Sequence, residues 1–415
     1  MKPTKQVTAM IVDNSGGYVS LAIRLADEYK KVYYCNPAWQ HSFPSPNLVT
    51  VGTGFDRIEV VDNLFNVYDE IDLWIFPDIY YGPFQEFLRS QGEIVWGSGA
   101  AEDWELYRDV LKTRMDQKHL PLNKWWKLDG ITALREFLKK KDDVWVKVNK
   151  WRGLIESFHS PSYEMVKQQL DDIEYCKGID PEQIQFIAEE PIPDALEQGY
   201  DGICIDGQFA ESWLSGIEVK DKAYFGQWRK YSDLSPMLTD FNTAMSSDLK
   251  KFGYRGFYSL ENRIQGKKSY MMDFTARMPE PPGSIYLSLI ANLGDVIWHG
   301  ANGDLIEAQP VTEYAAQINI GSHWACTHLC PVYYPKELEP FVWLKKVRRE
   351  GDIDYVVPVP NASYDLGAVV GLGDTPEEAI QNATDIAAQI KTIDIIVKPE
   401  ALDNAWDDLQ EMQAL

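Results

Sequence analysis

Apolar positions in the first hundred residues form short runs that are separated by helical patterns. The runs lie at residues 7–12, 32–35, 71–76 and 93–96, with weaker candidates at 49–51 and 58–61. After the first run, apolar and polar residues interleave from Val19 to Ala26 in a helical pattern. Strands that alternate with helices are typical of an open parallel sheet. The sequence therefore predicts an α/β domain over residues 1–105.

The first predicted strand runs into Ser15-Gly16-Gly17, a small and glycine-rich turn. A turn that opens a helix presents free backbone N–H groups, which can bind an anion. The alternative, which we favour from the turn alone, is a tight strand-to-helix connection without a ligand. The turn lacks the full G-x-G-x-x-G fingerprint. The sequence thus predicts no dinucleotide site at this turn.

Residues 106–305 contain a second set of elements. Helical patterns at 106–119 and 131–141 precede a predicted strand at 144–148, and further strands are predicted at 185–188, 202–205 and 208–212. Asp206-Gly207 is a strong signal for a two-residue hairpin turn. Lys147 lies inside a predicted strand between apolar neighbours. Its ammonium group either points to solvent or meets nucleotide phosphates as a point charge.

The stretch 254–283 predicts two antiparallel strands, at residues 256–264 and 269–276. Side chains alternate along a strand, so Asp273, Thr275 and Arg277 share one face. Folding the hairpin at the turn 265–268 brings Glu261 near Asp273. Hard oxygen ligands of this kind suit Mg²⁺. The alternative is an ordinary solvated hairpin face with surface ion pairs.

Residues 306–415 predict a small closing α/β segment. Strands are predicted at residues 314–320, 355–359, 368–371 and 393–397, and a helix at 375–391. Thr375 is placed to cap this helix, with Pro376 at its first position. His323, Cys326, His328 and Cys330 have side chains that suit zinc, but their spacing matches no common zinc finger. We favour packing over metal binding, because on a strand the last three would share one face.

Composition excludes some classes of protein. The chain has 415 residues and a formal net charge of -23, which predicts two or three domains and disfavours wrapping of duplex nucleic acid. Five cysteines are too few, and odd in number, for a disulfide scaffold. The sequence has no signal-peptide pattern and no apolar run near the ~18 residues of a membrane span. We therefore expect a cytoplasmic protein.

The hairpin residues resemble the metal-binding strands of the ATP-grasp ligases. In that family an acidic residue on one strand faces a Glu-x-Asn-x-Arg-like run on the next, and this chain has Asp273-Phe274-Thr275-Ala276-Arg277. The resemblance is greatest to the phosphoribosylamine–glycine ligase branch. Asp273 stands in place of the usual Glu, and Thr275 in place of the usual Asn. A second similar segment lies at residues 371–379, where a Gly-Asp-Thr turn leads into a Glu-rich helix.

The resemblance implies an α/β fold class, with an α+β ATP-grasp core between two other domains. The expected boundaries are an open α/β pre-ATP-grasp domain at 1–105, the nucleotide-binding domain at 106–305 and a small α/β domain at 306–415. The implied reaction is ATP-dependent ligation of a carboxylate to an amine through an acyl-phosphate. The implied cofactors are ATP and Mg²⁺.

The resemblance also implies roles for individual residues. Lys147, with Arg152 in the following loop, would neutralise the nucleotide phosphates. Glu189 and Glu190 match the segment that reads adenine, and either Glu197 or Asp201 would reach the ribose. The metal ligands implied are Glu261, Asp273 and Thr275, and Arg277 would steady the transferred phosphoryl group.

The substrates stay open at this point. Glycine or another amino acid is the expected carboxylate donor, and the amine acceptor is a small molecule, with an amine on a nucleotide or a modified nucleic-acid base among the options. Tyr18, beside the glycine-rich turn, departs from the phosphoribosyl-binding pattern. Two alternatives use the same scaffold: a kinase-like phosphoryl-transfer enzyme, and a nucleotide-binding protein without catalysis. A homodimer is a further option.

Overall fold

The computed structural model describes residues 1–37, 49–150, 157–175, 180–193, 195–358 and 364–413, without the side chains of Leu196 and Glu197. The chain divides into two compact units. Unit 1 contains Met1–Ala101, Gly199–Leu260 and Thr275–Leu415, and unit 2 contains Glu102–Gln198 and Glu261–Phe274. The segment 106–305, predicted as one domain, therefore contributes residues to both units.

The amino-terminal part of unit 1 is a parallel sheet, as the sequence predicts. Its five strands have the order Ile58–Val60, Lys31–Cys35, Thr8–Val12, Leu73–Ile75 and Val95–Trp96. Every residue of the central strand is buried, which is typical of a parallel strand covered on both faces. The accompanying helices are Val19–Leu25 and Gly82–Ser90. Of the two weaker strand candidates, residues 49–51 form no strand.

Two antiparallel sheets make up the carboxyl-terminal part of unit 1. The larger has the order Ser212–Val219, Ala223–Lys230, Tyr314–Ser322, Asp365–Gly373 and Val342–Leu344, with Ile395–Ile396 also paired to its third strand. The smaller has the order Val347–Glu350, Ile353–Val356, Cys330–Tyr333 and Lys391–Thr392. The helices of this part are Pro236–Lys251, Gly283–Leu289, Leu293–Ala301, Pro376–Ala387 and Ala405–Gln413.

The predicted capping of the helix Pro376–Ala387 is confirmed. Thr375 Oγ1 accepts a hydrogen bond of 3.2 Å from the Glu378 N–H, which satisfies one of the free donors at the helix start. The helix ends at Ala387, a turn earlier than predicted. The final helix, Ala405–Gln413, was not predicted.

Unit 2 contains a four-stranded antiparallel sheet with one apolar and one polar face. Its order is Trp125–Asp129, Gln185–Glu189, Val144–Val148 and Ser157–Ser160. Side chains of one face pack with the helices into a single apolar core, which includes Val146, Val148 and Phe186. The helices are Glu102–Leu106, Arg108–Gln117, Ile131–Leu138 and Tyr163–Glu174. The predicted strand 144–148 is confirmed at both ends.

A further sheet has the order Gln208–Phe209, Leu196–Ile205, Arg255–Gln265 and Lys268–Thr275. Both predicted hairpins lie in it. Asp206 and Gly207 have φ angles of 49° and 79°, the left-handed pair that a type I′ turn requires. A Cβ at Gly207 would lie 2.2 Å from the Ser246 carbonyl oxygen, so only glycine fits there. In the described residues, no helix is long and apolar enough to cross a membrane.

Candidate functional site

Lys147 lies on the polar face of the unit 2 sheet, beside Glu189. Lys147 pairs with Ile187, and Glu189 follows two residues later on that strand, so both point away from the apolar core. Both side chains are buried. Lys147 Nζ lies 3.7 Å from Glu189 Oε1 and donates a 2.6 Å hydrogen bond to the Met272 carbonyl oxygen. A carboxylate and a carbonyl therefore fix the position of this ammonium group.

A second buried lysine, Lys112, reaches the same carboxylate from the helix Arg108–Gln117. Its Nζ lies 3.2 Å from Glu189 Oε2, and the two side chains are 4% and 0% exposed. Asn123 joins them, because its Oδ1 lies 3.4 Å from Lys112 Nζ and its Nδ2 donates to Glu189 Oε2 at 3.1 Å. We call Lys112, Lys147 and Glu189 the lysine–glutamate group.

The lysine–glutamate group has one more positive than negative charge in a buried place. Burial raises the pKa of Glu189, but Lys147 and Lys112 outweigh it, so this pKa lies below its usual value. Burial lowers the pKa of Lys112, and Glu189 offsets only part of that effect. An anion beside the two ammonium groups would favour their charged forms. The charge balance therefore suits a negatively charged ligand.

The sequence prediction missed Lys112, although its helix contains a signal. Arg108, Leu111, Lys112 and Met115 recur at helical spacing and are all buried. Cations on the buried stripe of a helix are costly unless they are paired or bind a ligand. A lysine and an arginine on such a stripe are therefore candidates for function.

Arg108 links this helix to Asp273. Its Nε lies 3.6 Å from Asp273 Oδ1, with 5% of the arginine side chain and 31% of the aspartate side chain exposed. Arg108 Nη1 also donates to the Val148 carbonyl oxygen at 3.1 Å. Asp273 therefore lies where a buried cation from the helix meets the end of the strand that carries Lys147.

The predicted metal ligands divide between the units. Glu261 and Asp273 are half-buried in unit 2, on the two paired strands of the hairpin. Thr275 ends the second strand and belongs to unit 1. Across the described residues, no three His, Cys, Asp or Glu side chains are grouped to hold a metal ion. Two carboxylates with further oxygens from a substrate phosphate fit Mg²⁺, which is rarely held by a full protein cage.

Glu189 and Glu190, adjacent in the chain, have different surroundings. Glu190 accepts a 2.8 Å hydrogen bond from Lys141 at the surface. Its N–H donates to the Lys124 carbonyl oxygen at 2.9 Å, and its own carbonyl oxygen accepts from Asn123 at 2.9 Å. Of the two, only Glu189 faces the buried lysines. The side chain of Glu197 lies outside the described residues.

Asp201 is buried in unit 1 between two hydroxyl donors. Tyr224 OH donates to its Oδ2 at 2.8 Å, and Ser259 Oγ donates to its Oδ1 at 2.7 Å. Burial raises the Asp201 pKa from 3.8 to about 6, and the two hydrogen bonds only partly oppose this. The structure thus gives this carboxylate internal partners, and the ribose contact that the resemblance implies stays a prediction.

The Asp201 carboxyl predicts a pH-dependent contribution to stability. Its pKa is about 6 in the folded protein, against an ordinary value of 3.8, so the folded state binds more protons than the unfolded state between these pH values. The contribution is therefore full below the lower pKa and is lost as pH rises through the higher one. We therefore expect the free energy of unfolding of Asp201→Asn, taken relative to that of the wild type, to increase by roughly 1–3 kcal/mol from acidic to neutral pH. Urea unfolding of both proteins at one pH below 3.8 and one pH above 6 tests the prediction. An equal difference in the free energy of unfolding at the two pH values would contradict it.

Residues 151–156, which include Arg152, lie outside the described residues. Lys150, just before them, has its Nζ 4.8 Å from the centre of the Tyr107 ring. Its backbone N–H donates to the Leu106 carbonyl oxygen at 2.6 Å. Lys150 is therefore held against Leu106 and Tyr107 of unit 2.

Arg277 lies in unit 1, at the carboxyl ends of the parallel strands. Its Nη1 donates to Tyr18 OH at 3.4 Å, and its Nε lies 3.9 Å from Asp78 Oδ1. Tyr18 OH donates to the Met278 carbonyl oxygen at 3.2 Å. Ligands of open α/β sheets bind at this edge, where the strand order reverses. The reversal here lies between the strands that precede Asp13 and Asp78.

Three of the four residues of the possible zinc site, His323, His328 and Cys330, are engaged in packing. Trp324–Cys326 is a turn of 3-10 helix rather than a strand. The His328 ring stacks on Trp324 with the ring centres 4.0 Å apart, and His323 packs edge-on against Tyr364. Cys330 is buried, with its Sγ 3.0 Å from Thr392 Oγ1.

Comparison with sequence families gives no match. No family model matches the chain, and no curated protein sequence matches it. Its likeness to known proteins lies in the fold.

Solved structures similar to this chain are enzymes of one fold. Phosphoribosylamine–glycine ligase from Thermotoga maritima has 15% identity and a TM-score of 0.70, over 94% of this chain and 98% of its own. The biotin carboxylase domain of 2-oxoglutarate carboxylase from Hydrogenobacter thermophilus, solved with MgADP, ADP and bicarbonate, has 10% identity and a TM-score of 0.66, over 100% and 96%. N5-carboxyaminoimidazole synthetase from Staphylococcus aureus, complexed with ADP, has 11% identity and a TM-score of 0.58, over 94% and 99%.

These similarities span nearly the whole of each chain, and they confirm the predicted fold class. All three proteins are ATP-grasp ligases. The chain therefore has the fold of the ATP-grasp ligases.

Proposed function

We propose that this protein is an ATP-dependent carboxylate–amine ligase that uses Mg²⁺ and forms an amide through an acyl-phosphate. The observation that carries the proposal is the lysine–glutamate group of unit 2. Two buried ammonium groups share one carboxylate there, and a buried arginine meets Asp273 nearby in the same unit. Such a surplus of buried positive charge suits a polyphosphate.

In the proposed site Lys112 and Lys147 neutralise the phosphates of ATP. Glu189 holds both lysines in place, and it is not itself a phosphate ligand because like charges repel. Arg152 adds a bidentate phosphate contact. Glu190 supplies the adenine contact, and either Glu197 or Asp201 supplies the ribose contact, as the resemblance implies.

Mg²⁺ would be held by Glu261 and Asp273, with Thr275 as a further oxygen donor. When bound, it supplies charge neutralisation to the transferred phosphoryl group. Arg108 positions the Asp273 carboxylate through their 3.6 Å ion pair. Arg277 steadies the transferred phosphoryl group.

The reaction proceeds in two balanced steps. A carboxylate oxygen attacks the γ-phosphorus of ATP, which releases ADP and leaves an acyl-phosphate. A neutral amine then attacks the acyl carbon, the carbon–oxygen bond to phosphate breaks, and phosphate and one proton are released. The protein contributes position and charge in both steps.

The names of the similar structures support this class of reaction. One is a glycine ligase, and two contain ADP. We take glycine or another amino acid as the carboxylate donor. The proposal also includes a cytoplasmic setting and a homodimer, since one similar structure is a domain dimer.

The proposal is tested by ADP release from Mg-ATP, with each amino acid supplied alone and together with pooled amines. We expect ADP formation that requires both an amino acid and an amine, and about a hundredfold less of it in Asp273→Asn. Asp129→Asn, an exposed aspartate in the same unit, is the matched control and should retain full activity.

Two outcomes would contradict the ligase proposal. Phosphate transfer to an acceptor without any amine would indicate a kinase-like enzyme. Nucleotide binding without turnover under any combination of substrates would indicate a protein without catalysis.

A further inference from the structure

The glycine-rich turn of unit 1 has no donors left for a phosphate group. Asp13 Oδ1 accepts from the N–H groups of Ser15 and Gly16 at 3.0 and 2.9 Å, and its Oδ2 accepts from the Tyr18 N–H at 2.8 Å. The Gly17 N–H donates to Ser15 Oγ at 3.1 Å. The carboxylate of Asp13 therefore occupies the position that an anionic ligand of this turn would take.

Lys346 contacts this turn and brings a positive charge to it. Its backbone N–H donates to the Gly16 carbonyl oxygen at 2.8 Å. Its φ angle is 50°, a left-handed conformation that costs a lysine about 1 kcal/mol. Strained residues of this kind persist where the surrounding structure imposes them, which is common at ligand sites.

The Lys346 ammonium group is the exception among the cations of this region. Within the described part of the chain, no residue accepts a hydrogen bond from its Nζ or forms an ion pair with it. Burial and the neighbouring Lys345 lower its pKa, and Asp365, Glu280 and Asp13 act in the opposite direction. This half-buried ammonium is therefore available to a ligand.

The neighbouring charges are already paired. Lys345 forms ion pairs with both Glu280 and Asp365. Arg277 lies between Tyr18 and Asp78 as described above. Tyr18 OH donates to the carbonyl oxygen of Met278, which lies two residues before Glu280 in the chain, so these residues form one neighbourhood in unit 1.

This neighbourhood contains four carboxylates and three cations. The carboxylates are Asp13, Asp78, Glu280 and Asp365, and the cations are Arg277, Lys345 and Lys346; the hydrogen bonds and ion pairs given above connect them. A phosphate dianion at this place would be attracted by one available ammonium and repelled by the surplus negative charge. A zwitterion suits the place better, because its carboxylate pairs with the ammonium and its amino group is attracted by the surplus carboxylate.

We propose that this part of unit 1 binds a free amino acid, with Lys346 as the residue that binds its carboxylate. The location at the reversal of strand order supports a ligand site. If the ligase function proposed above holds, on which this second part rests, this amino acid is the amine acceptor and not the carboxylate donor, because Lys346 holds its carboxylate and leaves its amino group to react. The product is then an amide that keeps a free carboxylate, and a ribosyl phosphate amine is not the acceptor.

The test is calorimetric titration of the full chain, without ATP, with each common amino acid and with its carboxamide. The two ligands share the amine and side chain and differ only in the carboxylate. We expect at least one amino acid to bind about tenfold more tightly than its carboxamide. Lys346→Met should remove this difference and leave carboxamide binding unchanged, and Lys346→Arg should restore most of it.

The comparison of acid with carboxamide in the wild-type protein needs no variant, so a misfolded Lys346→Met cannot obscure the result. Equal binding of the two, binding of no amino acid at millimolar concentration, or tighter binding of phosphoethanolamine would each overturn the inference. Since ATP is absent, a failed ligase assay leaves this test intact. Conversely, amide formation with an acceptor that has no carboxylate would overturn the inference and preserve the ligase function.

Discussion

Glu189→Gln is expected to lower the stability of the protein by about 3–5 kcal/mol, the largest effect on stability that we predict. The substitution leaves Lys112 and Lys147 buried without the carboxylate that lies 3.2 and 3.7 Å from them. Without the carboxylate, the two buried ammonium groups repel each other, and burial keeps solvent from hydrating them. Urea unfolding followed by tryptophan fluorescence measures the change.

The adjacent residue provides a matched control. Glu190 is paired with surface lysines rather than buried ones, so Glu190→Gln should cost about 0–1 kcal/mol. Adding Lys112→Met to Glu189→Gln should recover part of the lost stability, because one of the two unpaired cations is removed. Equal losses for Glu189→Gln and Glu190→Gln would show that the buried charge group has no special part in stability.

Lys147→Met is expected to reduce ADP formation about 10²–10³-fold, the largest effect on activity that we predict. The variant removes an ammonium group held by Glu189 and the Met272 carbonyl oxygen. It leaves Lys112 and Glu189 as a neutral pair, so the fold should persist. Steady-state release of ADP, with circular dichroism to check folding, tests this.

Lys127→Met is the control for Lys147→Met. Both lysines lie opposite Ile187, one on each neighbouring strand, and both are on the same face of the sheet. Lys127 is 39% exposed and pairs with Asp109 instead of the lysine–glutamate group. Activity should be unchanged in Lys127→Met. If both variants lose activity equally, the loss reflects a general change in charge and not a phosphate site.

The sequence alone predicts much of the local structure, because the signals are local. The apolar strand at 144–148, the Asp206-Gly207 turn and the Thr375 cap each depend on residues close together in the chain, and all are confirmed. The order of such elements predicts the parallel sheet of the first domain, and the resemblance to the ATP-grasp ligases implies the rest of the fold class, which is confirmed. Lys147 was predicted in the same way, as a charge in an apolar strand, and its phosphate contact stays a prediction.

Features that depend on distant residues were not predicted. The lysine–glutamate group joins residues 112, 147 and 189 from a helix and two strands, so no single stretch reveals it. Likewise, the choice between Glu189 and Glu190 depends on which face of the strand meets the core. The role of Asp13 could not be predicted for a different reason. The same sequence is compatible with an Asp13 side chain that accepts hydrogen bonds from the N–H groups of the turn and with one that leaves them open to a ligand.

The most direct test of the account is calorimetric titration of Mg-ATP into the wild-type protein and into the triple variant Lys112→Met, Lys147→Met, Glu189→Leu. The variant removes all three buried charges together, so none is left unpaired and the fold should be retained. We predict that the wild-type protein binds Mg-ATP and that the folded variant does not. Equal binding by both proteins, or no binding by the wild type, would contradict the assignment of the lysine–glutamate group as the phosphate site.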